Sequence, residues 1–554
     1  MSGNTANFDG YGNQSKPRTM FGENTFGNCV TFTIDGQENF RLMYEKMLQA
    51  KSSIYIANYD LDPELRLIRG RGDPQFLQIS HFIVSPCLSE SNNGNNKNND
   101  SYEKNPHNDE YHILQNLLIE KAKQKVDIKI IVWEPRLIVR AFPLANKRGL
   151  EGRGKKVESL RELAKHYGVE EHMTVRLDSN APTFTSGFHE KIAIIDNQIG
   201  FCGGQDLSQD KWDTSDHDFD NSLRDQDGQP WHDVNAMIKG PIIWDLIFHF
   251  NQRWIYSLTK YIKQVKKAKI NSSGSFFSSS ISPSAASITN RGNEGNIEIS
   301  ALRTWKQLKG NIGDGDDDSN GGGSSVRTWY DTMFRKAKHS IYIEDQFLFQ
   351  DKIMAQLLAK RLEEEQDLKV ITVGPMEPNL PGFIFSVLSK ESINDINNNL
   401  AALRKAGKNR VRTYCLISQH STIKQKRKQI YVHSKIMIVD DRLITIGSAN
   451  TDRDGFKDST EFDLAMTSTT LAQQLRAKLW REHLKDYIYS SSNDINLNDF
   501  NKGFEVWEKV ANDNGKRVQK GEAIQGHIYY YNFEEMNFPP PYLGAKGGNK
   551  FRLF

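Results

Sequence analysis

The chain is poor in cysteine, in unbroken apolar runs and in net charge, and each shortage removes a class of protein. Cys29, Cys87, Cys202 and Cys415 are the only cysteines in 554 residues; they lie far apart and form no CxxC pair. That spacing argues against a disulfide framework and against a structural zinc site, and it suits a reducing compartment. The most apolar stretch, residues 241–256, is broken by Asp245, His249 and Arg253. It falls short of the roughly 18 uninterrupted apolar residues of a membrane span. The first twenty residues, MSGNTANFDGYGNQSKPRTM, lack the apolar core of a signal peptide. The expectation is a cytoplasmic protein, with peripheral membrane association open to it. Lysine and arginine number 72 against 69 acidic residues, leaving +3. No global field gathers a polyanion, so an anionic ligand must be held by a local patch.

What is present is an ordinary globular composition with an internal echo. Apolar residues at 37%, with the 40 glycines added, reach about 44%, close to the usual globular share. Residues 52–61 read SSIYIANYDL and residues 339–348 read HSIYIEDQFL. Each follows an amphipathic stretch ending in Ala-Lys and is rich in β-branched and aromatic residues, the pattern of a helix feeding a strand. Later in each half comes a second matching strand, HEKIAIID from His189 and HSKIMIVD from His433. Duplicated alternating elements predict an α/β fold of two pseudo-symmetric halves, each a mixed β-sheet flanked by helices.

Low-hydrophobicity segments punctuate the halves. Residues 89–108 are Asn-rich, 271–296 Ser-rich, and 310–325 read GNIGDGDDDSNGGGSS. The division expected is an N-terminal tail (1–27), a first half (28–268) with an Asn-rich insertion at 89–108 and its motif near 183–210, and a Ser/Gly/Asp-rich linker zone (269–326). A second half (327–490) with its motif near 427–454 and a C-terminal extension (491–554) complete it. Asp314, Asp316 and Asp318 faintly suggest a calcium loop, but Ser319 replaces the turn glycine and Ser325 the bidentate Glu. A solvated loop is the expectation.

The two motifs are His189-x-Lys191-x4-Asp196-x6-Gly203-Gly204 and His433-x-Lys435-x4-Asp440-x6-Gly447-Ser448-x-Asn450. At this composition one such match is expected about 0.005 times per chain, and two with probability of order ten to the minus five. Residues two apart share a strand face, so each motif presents an imidazole beside an ammonium while Ile192 and Ile194, or Ile436 and Ile438, point into a core. A phosphodiester needs this pair: lysine neutralises phosphate oxygens, a neutral histidine attacks phosphorus, and a protonated one gives its proton to the leaving alcohol. One histidine cannot do both in one step, and duplication supplies two. The glycines after each strand are expected to let backbone approach the phosphate, and Asn450 to donate to it. Each catalytic imidazole needs its second nitrogen held. Glu461 is the candidate for His433, and Asp233, displaced by the acidic loop 213–227, the candidate for His189.

These residues resemble the phospholipase D superfamily, whose members carry two HxKx4D motifs in halves meeting at one shared active site. The likeness runs from about Asn28 to about Tyr489 and is closest to the eukaryotic-type branch: FHEKIAIID, FCGGQDL, KWD, WHDVNAMIKGPIIWDLIFHFNQRW, IYIEDQF and YVHSKIMIVDDRLITIGSANTDRD. The resemblance implies that His189 is the nucleophile forming a phosphohistidine, and that His433 protonates the leaving headgroup and then activates water. It implies that Lys191, Lys435 and Asn450 hold the phosphoryl group, with no metal or cofactor in the chemistry. Asp196 and Asp440 belong to the catalytic motif, though their place on the strand suits structural support. Asp206 stands where the second motif has Asn450, and Phe456 and Lys457 lie in a region that is usually more polar. There is no spare length for a lipid-binding module ahead of the catalytic unit, so membrane targeting is expected from the catalytic body.

The reading reached is a monomeric phospholipase D. It hydrolyses the distal phosphodiester of a glycerophospholipid at a membrane surface, phosphatidylcholine favoured by resemblance, and a primary alcohol can replace water. The alternatives are a cardiolipin synthase-like phosphatidyltransferase, a nuclease or other phosphodiesterase of the same superfamily, and an inactive lipid-binding protein. No nucleic acid partner is expected, because no basic stripe with interleaved aromatics is present. Residues 260–269 (KYIKQVKKAK) and 424–428 (KQKRK) read as solvated faces, the latter close enough to His433 to border the site. His217 is unassigned, His232 reads as packing, and Trp212 and Trp231 as core residues that a headgroup pocket can also use.

Overall fold

The structure, a computed structural model, describes residues 23–70, 83–84, 112–134, 150–179, 187–225, 228–267, 296–305, 323–376, 383–485, 487–488 and 496–542. The Asn-rich insertion, most of the linker zone and its acidic run lie outside them. The first half runs β1 (Asn24–Ile34), α1 (Asp35–Leu48), β2 (Ser53–Asn58), β3 (Ile83–Val84), α2 (Leu114–Lys123), β4 (Asp127–Trp133), α3 (Leu150–His166), β5 (Met173–Asp178), β6 (Ile192–Ile195), β7 (Ile199–Gly203), β8 (Trp231–His232), β9 (Val234–Lys239) and α4 (Ile243–Lys267). The second runs β10 (Ile297–Trp305), β11 (Gly323–Ser324), α5 (Ser325–Lys336), β12 (Ser340–Glu344), α6 (Lys352–Glu364), β13 (Lys369–Val373), α7 (Phe383–Gly407), β14 (Val411–Gln419), β15 (Arg427–Val432), β16 (Ile436–Val439), β17 (Leu443–Gly447), β18 (Glu461–Thr467) and α8 (Thr469–Leu484). Helix α9 (Phe500–Lys520) and strand β19 (Ile528–Tyr530) follow.

The duplication seen in the sequence is repeated strand for strand. One sheet has the order β1–β9–β7–β6–β2–β4–β5, with β2, β4 and β5 parallel and the rest antiparallel. The other has β10–β18–β17–β16–β12–β13–β14, with β12, β13 and β14 parallel. Parallel strands are covered on both faces, which is why β2 and β12 are apolar rather than strictly alternating and every residue of each is buried. Start signals are local. Ser324, Asp351 and Ser468 cap α5, α6 and α8 by accepting backbone N–H bonds from Arg327, Met354 and Leu471.

The halves are fused rather than tethered. Residues Asn24–Asn28 of β1 pair with β10 of the second sheet, and residues Cys29–Ile34 pair with β9 of the first. Ile192 and Ile194 enter a large core that also contains Ile436, Ile438 and Leu464 of the second half. Ala193 and Ile195, on the opposite face, enter a separate core beneath α1, α2 and α3.

Two expectations are corrected here. The linker zone contains β10, a buried nine-residue strand inside the second sheet; its IEISALRTW pattern was hidden between low-complexity flanks. Cys29 is disulfide-bonded, its partner outside the described residues, while Cys202 and Cys415 are buried free thiols. Separation in sequence does not report which strands lie side by side.

Candidate active site

Both motif histidines sit immediately before a central strand, His189 before β6 and His433 before β16. Short parallel contacts between the halves place them. Phe188 bridges Thr460, and the His189 N–H donates to the Thr460 carbonyl at 2.8 Å. Likewise Tyr431 and Val432 pair with Trp231 and His232, and the His433 N–H donates to the His232 carbonyl at 2.8 Å. The next residue in each ladder is the carboxylate. His189 Nδ1 therefore lies 3.1 Å from Glu461 Oε2, and His433 Nδ1 lies 2.8 Å from Asp233 Oδ2. The pairing expected from the sequence is corrected: the carboxylates are the two named, but each serves the histidine of the other half. Sequence order gives the strands and not the register between two sheets.

With Nδ1–H donating to a carboxylate, each imidazole carries its lone pair on Nε2. His189 Nδ1 is also 3.1 Å from the Ser448 carbonyl, which selects the same tautomer. The site is single. Lys191 of the first half acts on the charge of His433, Asp233 and Glu461, and a Cβ on Gly204 would meet both Asp233 Oδ1 and the His433 carbonyl.

The lysines are buried beside their histidines. Lys191 Nζ donates to the His189 carbonyl at 2.8 Å, lies 3.5 Å from Asp206 Oδ1 and sits 4.9 Å over the Tyr59 ring. Lys435 Nζ donates to the His433 carbonyl and to Gln346 Oε1 at 3.3 Å. Burial brings Lys435 down to about 8, against the pull of Asp233 and Asp345. Asp206 thus acts as a counter-ion to Lys191 and accepts the Asp60 N–H at 3.0 Å; this accounts for a carboxylate where the second motif has an amide. Buried Asn450 keeps an Oδ1 with no hydrogen-bond partner among the described residues.

Burial dominates the titration of the dyads. It lifts Asp233 to about 7 and Glu461 well above the usual carboxylate range, and it drives His433 well below the usual imidazole value, helped by Lys435, Lys191 and Lys211. His433 stacks near Trp231, centroids 5.0 Å apart, and Trp231 in turn packs on Tyr431 at 4.7 Å with the Lys211 ammonium 3.9 Å over it. Trp231 therefore walls the site, whereas fully buried Trp212 is core, with Arg69 stacked at 5.0 Å. Phe456 is buried against Tyr330 and Lys457 is exposed, on a short π-helical turn.

Of two further motif elements, the aspartates give the structural support that their place on the strand suits, and the glycines do other work than expected. Asp196 and Asp440 lie at the far ends of β6 and β16, seven residues and about 20 Å along the chain from their histidines. Asp196 accepts backbone N–H bonds from Lys51, Ser52 and Ser53, and Asp440 from Lys338, His339 and Ser340. Each occupies the left-handed region, φ 52° and 51°, in the turn to the next strand. They tie strand ends and are removed from the catalytic set. The glycines make room for side chains rather than for a phosphate: a Cβ would meet Asn235 at Gly203, Asp463 at Gly447 and Asp233 at Gly204, each within about 2.1 Å.

The sequence reading missed the buried network behind His433. His217 Nε2 lies 3.5 Å from Asp35 Oδ2 and 3.3 Å from Glu482 Oε1, and His232 Nδ1 lies 3.1 Å from Asp35 Oδ1 and 2.9 Å from Glu482 Oε1. Burial alone would lower His217, yet Asp35, Asp213 and Glu482 carry it up to about 10. Asp35, His217, His232 and Glu482 set their ligand atoms within 4.8 Å of one another. The second nitrogens of His217 and His232 meet Asp213 at 3.0 Å and Glu344 at 2.9 Å, the outer support that metal-binding histidines use. A divalent cation would enter this cluster only by displacing the protons that hold His217 and His232 among the carboxylates. Calcium or zinc that does so is expected to raise the unfolding temperature of the wild type, since a ligand bound only by the folded state stabilises it, and D35N to abolish that rise. An equal response in both proteins would mean that the ion does not enter here. The one sequence signal was the departure between the echoed strands, Ala57 in the first standing opposite Glu344 in the second.

Comparison with known proteins places the chain in a family. Residues 103–354 match the family model "Phospholipase D" and residues 330–483 the model "Cardiolipin synthase, PLD-like domain". The chain belongs to the phospholipase D superfamily. It is 22% identical to phospholipase D zeta 2 of Arabidopsis thaliana over 86% of this chain and 55% of that one. It is 26% identical to phospholipase D A of Dictyostelium discoideum over 68% and 32%, and 24% identical to phospholipase D1 of Saccharomyces cerevisiae over 88% and 30%. The chain thus spans about half or less of the length of these relatives. The fold is shared with phosphatidylserine synthase of Haemophilus influenzae, TM-score 0.50 at 12% identity, over 89% of this chain and 95% of that one.

Proposed function

We propose that the chain is a phospholipase D: it hydrolyses the distal phosphodiester of a glycerophospholipid, such as phosphatidylcholine, to phosphatidic acid and the free headgroup. The observation that carries this reading is the pair of crossed histidine–carboxylate contacts around one pair of buried lysines. In the first step His189 Nε2 attacks phosphorus, the bond to the headgroup oxygen breaks, and protonated His433 gives that oxygen its proton. In the second, neutral His433 takes a proton from water, the water oxygen bonds to phosphorus, and the bond to His189 breaks. Lys191 and Lys435 neutralise the equatorial oxygens, and Asn450 adds an amide donor. Glu461 and Asp233 hold the two rings and balance the imidazolium formed at each stage.

Substrate delivery requires a lipid surface. Among the described residues no helix is long and apolar enough to cross a membrane. The turn between β14 and β15 carries Lys424, Lys426 and the 42% exposed Ile423, and β15 leads from it to His433. This hairpin is the proposed point of peripheral contact.

Resolution of a covalent intermediate by any small hydroxyl gives the test. Phospholipid vesicles containing about 1% ethanol should yield phosphatidylethanol alongside phosphatidic acid, read by mass spectrometry. Turnover without the ethyl ester would overturn the phosphohistidine route; no change in any phospholipid would overturn the substrate class.

A further inference from the structure

We propose that helix α4 fixes His189 against Glu461, with Arg253 and His249 as its positioning residues; this deepens the reading of His189 as nucleophile and rests on it. Arg253 grips both neighbours of His189. Its Nε binds Glu190 Oε1, its Nη1 binds Asp178 Oδ2 at 2.5 Å, and its guanidinium lies 3.4 Å from the centroid of the Phe188 ring. Glu190 stands between His189 and Lys191, so its side chain points away from the site, and only a cation behind the strand allows a carboxylate there to be 1% exposed.

One turn earlier, on the same helix face, His249 grips the neighbour of Glu461. Its ring packs edge-on to Phe462 at 5.1 Å and to Trp305 at 5.5 Å, and Gln252 accepts from Arg303 of β10, the strand paired with β18. Buried, and beside Arg303 and Arg253, the His249 imidazole is held well below its ordinary pKa, so it packs as a neutral ring. Arg253 is tied to residues 188 and 190, His249 to residue 462, and one rigid turn of helix separates them. The spacing of the dyad between is thereby set.

The other dyad is held by a comparable clamp built on a strand carboxylate, Glu344 of β12, which His483 of α8 meets at 3.0 Å. Glu344 Oε2 accepts from Ser434 Oγ at 2.7 Å and meets His232 Nε2 at 2.9 Å. Ser434 follows His433, and His232 precedes Asp233. One carboxylate thus grips the neighbours of both partners. Ala57 occupies the equivalent place in the first half and carries no polar group, so α4 supplies the grip instead.

The test reads the dyads directly, on protein without substrate. An imidazole N–H bonded to a carboxylate gives a far-downfield proton resonance, assigned here by its loss in H189N or H433N. R253M and H249A are expected to lose or shift the His189 signal and leave that of His433, H249F to restore it, and E344Q to do the reverse. Because R253M strands two buried carboxylates, the neutral triple variant D178N/E190Q/R253M guards against simple unfolding and should also lose the His189 signal. An unchanged His189 signal in the folded triple variant and in H249A would overturn the proposal. The ethanol assay tests the chemistry separately, so failure of the one does not read as failure of the other.

Discussion

On the proposed mechanism, alanine at His189 or at His433 is expected to lower turnover on a phospholipid by about ten-thousand-fold or more, the scale seen when one member of a concerted catalytic set is removed. The two losses differ in kind. Removing His189 removes the atom that attacks phosphorus, so no leaving group, however good, is released by the covalent route. Removing His433 removes the proton donor and later the base. A substrate whose leaving group is p-nitrophenol needs no donor, so H433A should still release one equivalent of p-nitrophenol in a burst. It should then stall as phosphohistidine, because no base activates water. Rapid-quench measurement of the burst, with the trapped intermediate located by peptide mass spectrometry, checks both. A burst in H189A and none in H433A would exchange the roles of the two halves. The two dyads are built alike, but their surroundings differ: Lys211 and Trp231 crowd His433, whereas Tyr59 edges His189 at 4.9 Å and is itself stacked on Trp133.

What the sequence made legible is what a single strand carries. His189, Lys191, His433 and Lys435 follow from period-two alternation in the residues that lead into β6 and β16, and the duplication was visible as matched strings before any fold was known. Asp233 and Glu461 were legible as candidates because both lie on alternating segments close after a motif. Their crossing was not, because it depends on a single bridge between Phe188 and Thr460 and a two-residue ladder from Tyr431 and Val432 to Trp231 and His232, contacts with no local pattern. The same limit hid β10, whose partners are remote. It misdirected the glycines, which are small for the sake of Asp233, Asp463 and Asn235. It also left His217 unassigned, since its value comes from Asp35 and Glu482, 182 and 265 residues away along the chain. Asp196 and Asp440 show the converse: their place on the strand, which suited structural support, decides over membership in the catalytic motif.

Amide replacement of the two carboxylates separates them by chemical step. E461Q and D233N should each lose about a hundred- to ten-thousand-fold in turnover, because an amide N–H facing Nδ1 turns the imidazole to the wrong tautomer. Glu461 supports the nucleophile, so E461Q should slow the first step for a poor and a good leaving group alike. Asp233 supports the acid and base, so D233N should slow release of choline yet leave the p-nitrophenol burst close to that of the wild type. The opposite assignment would restore the pairing within each half that the sequence suggested. A stability measurement gives an independent check with a definite sign. Asp233 is raised from 3.8 to about 7 by burial. Between those values the folded chain keeps a proton that the unfolded chain has released, and stability therefore falls as pH rises through that window. D233N cannot lose that proton, so denaturation midpoints measured from about pH 4 to about pH 7 should decline less steeply for the variant than for the wild type. If the two declines coincide, Asp233 is already ionised beside His433 in the resting enzyme. The proton that reaches the headgroup oxygen would then come from an ion pair formed before substrate binds.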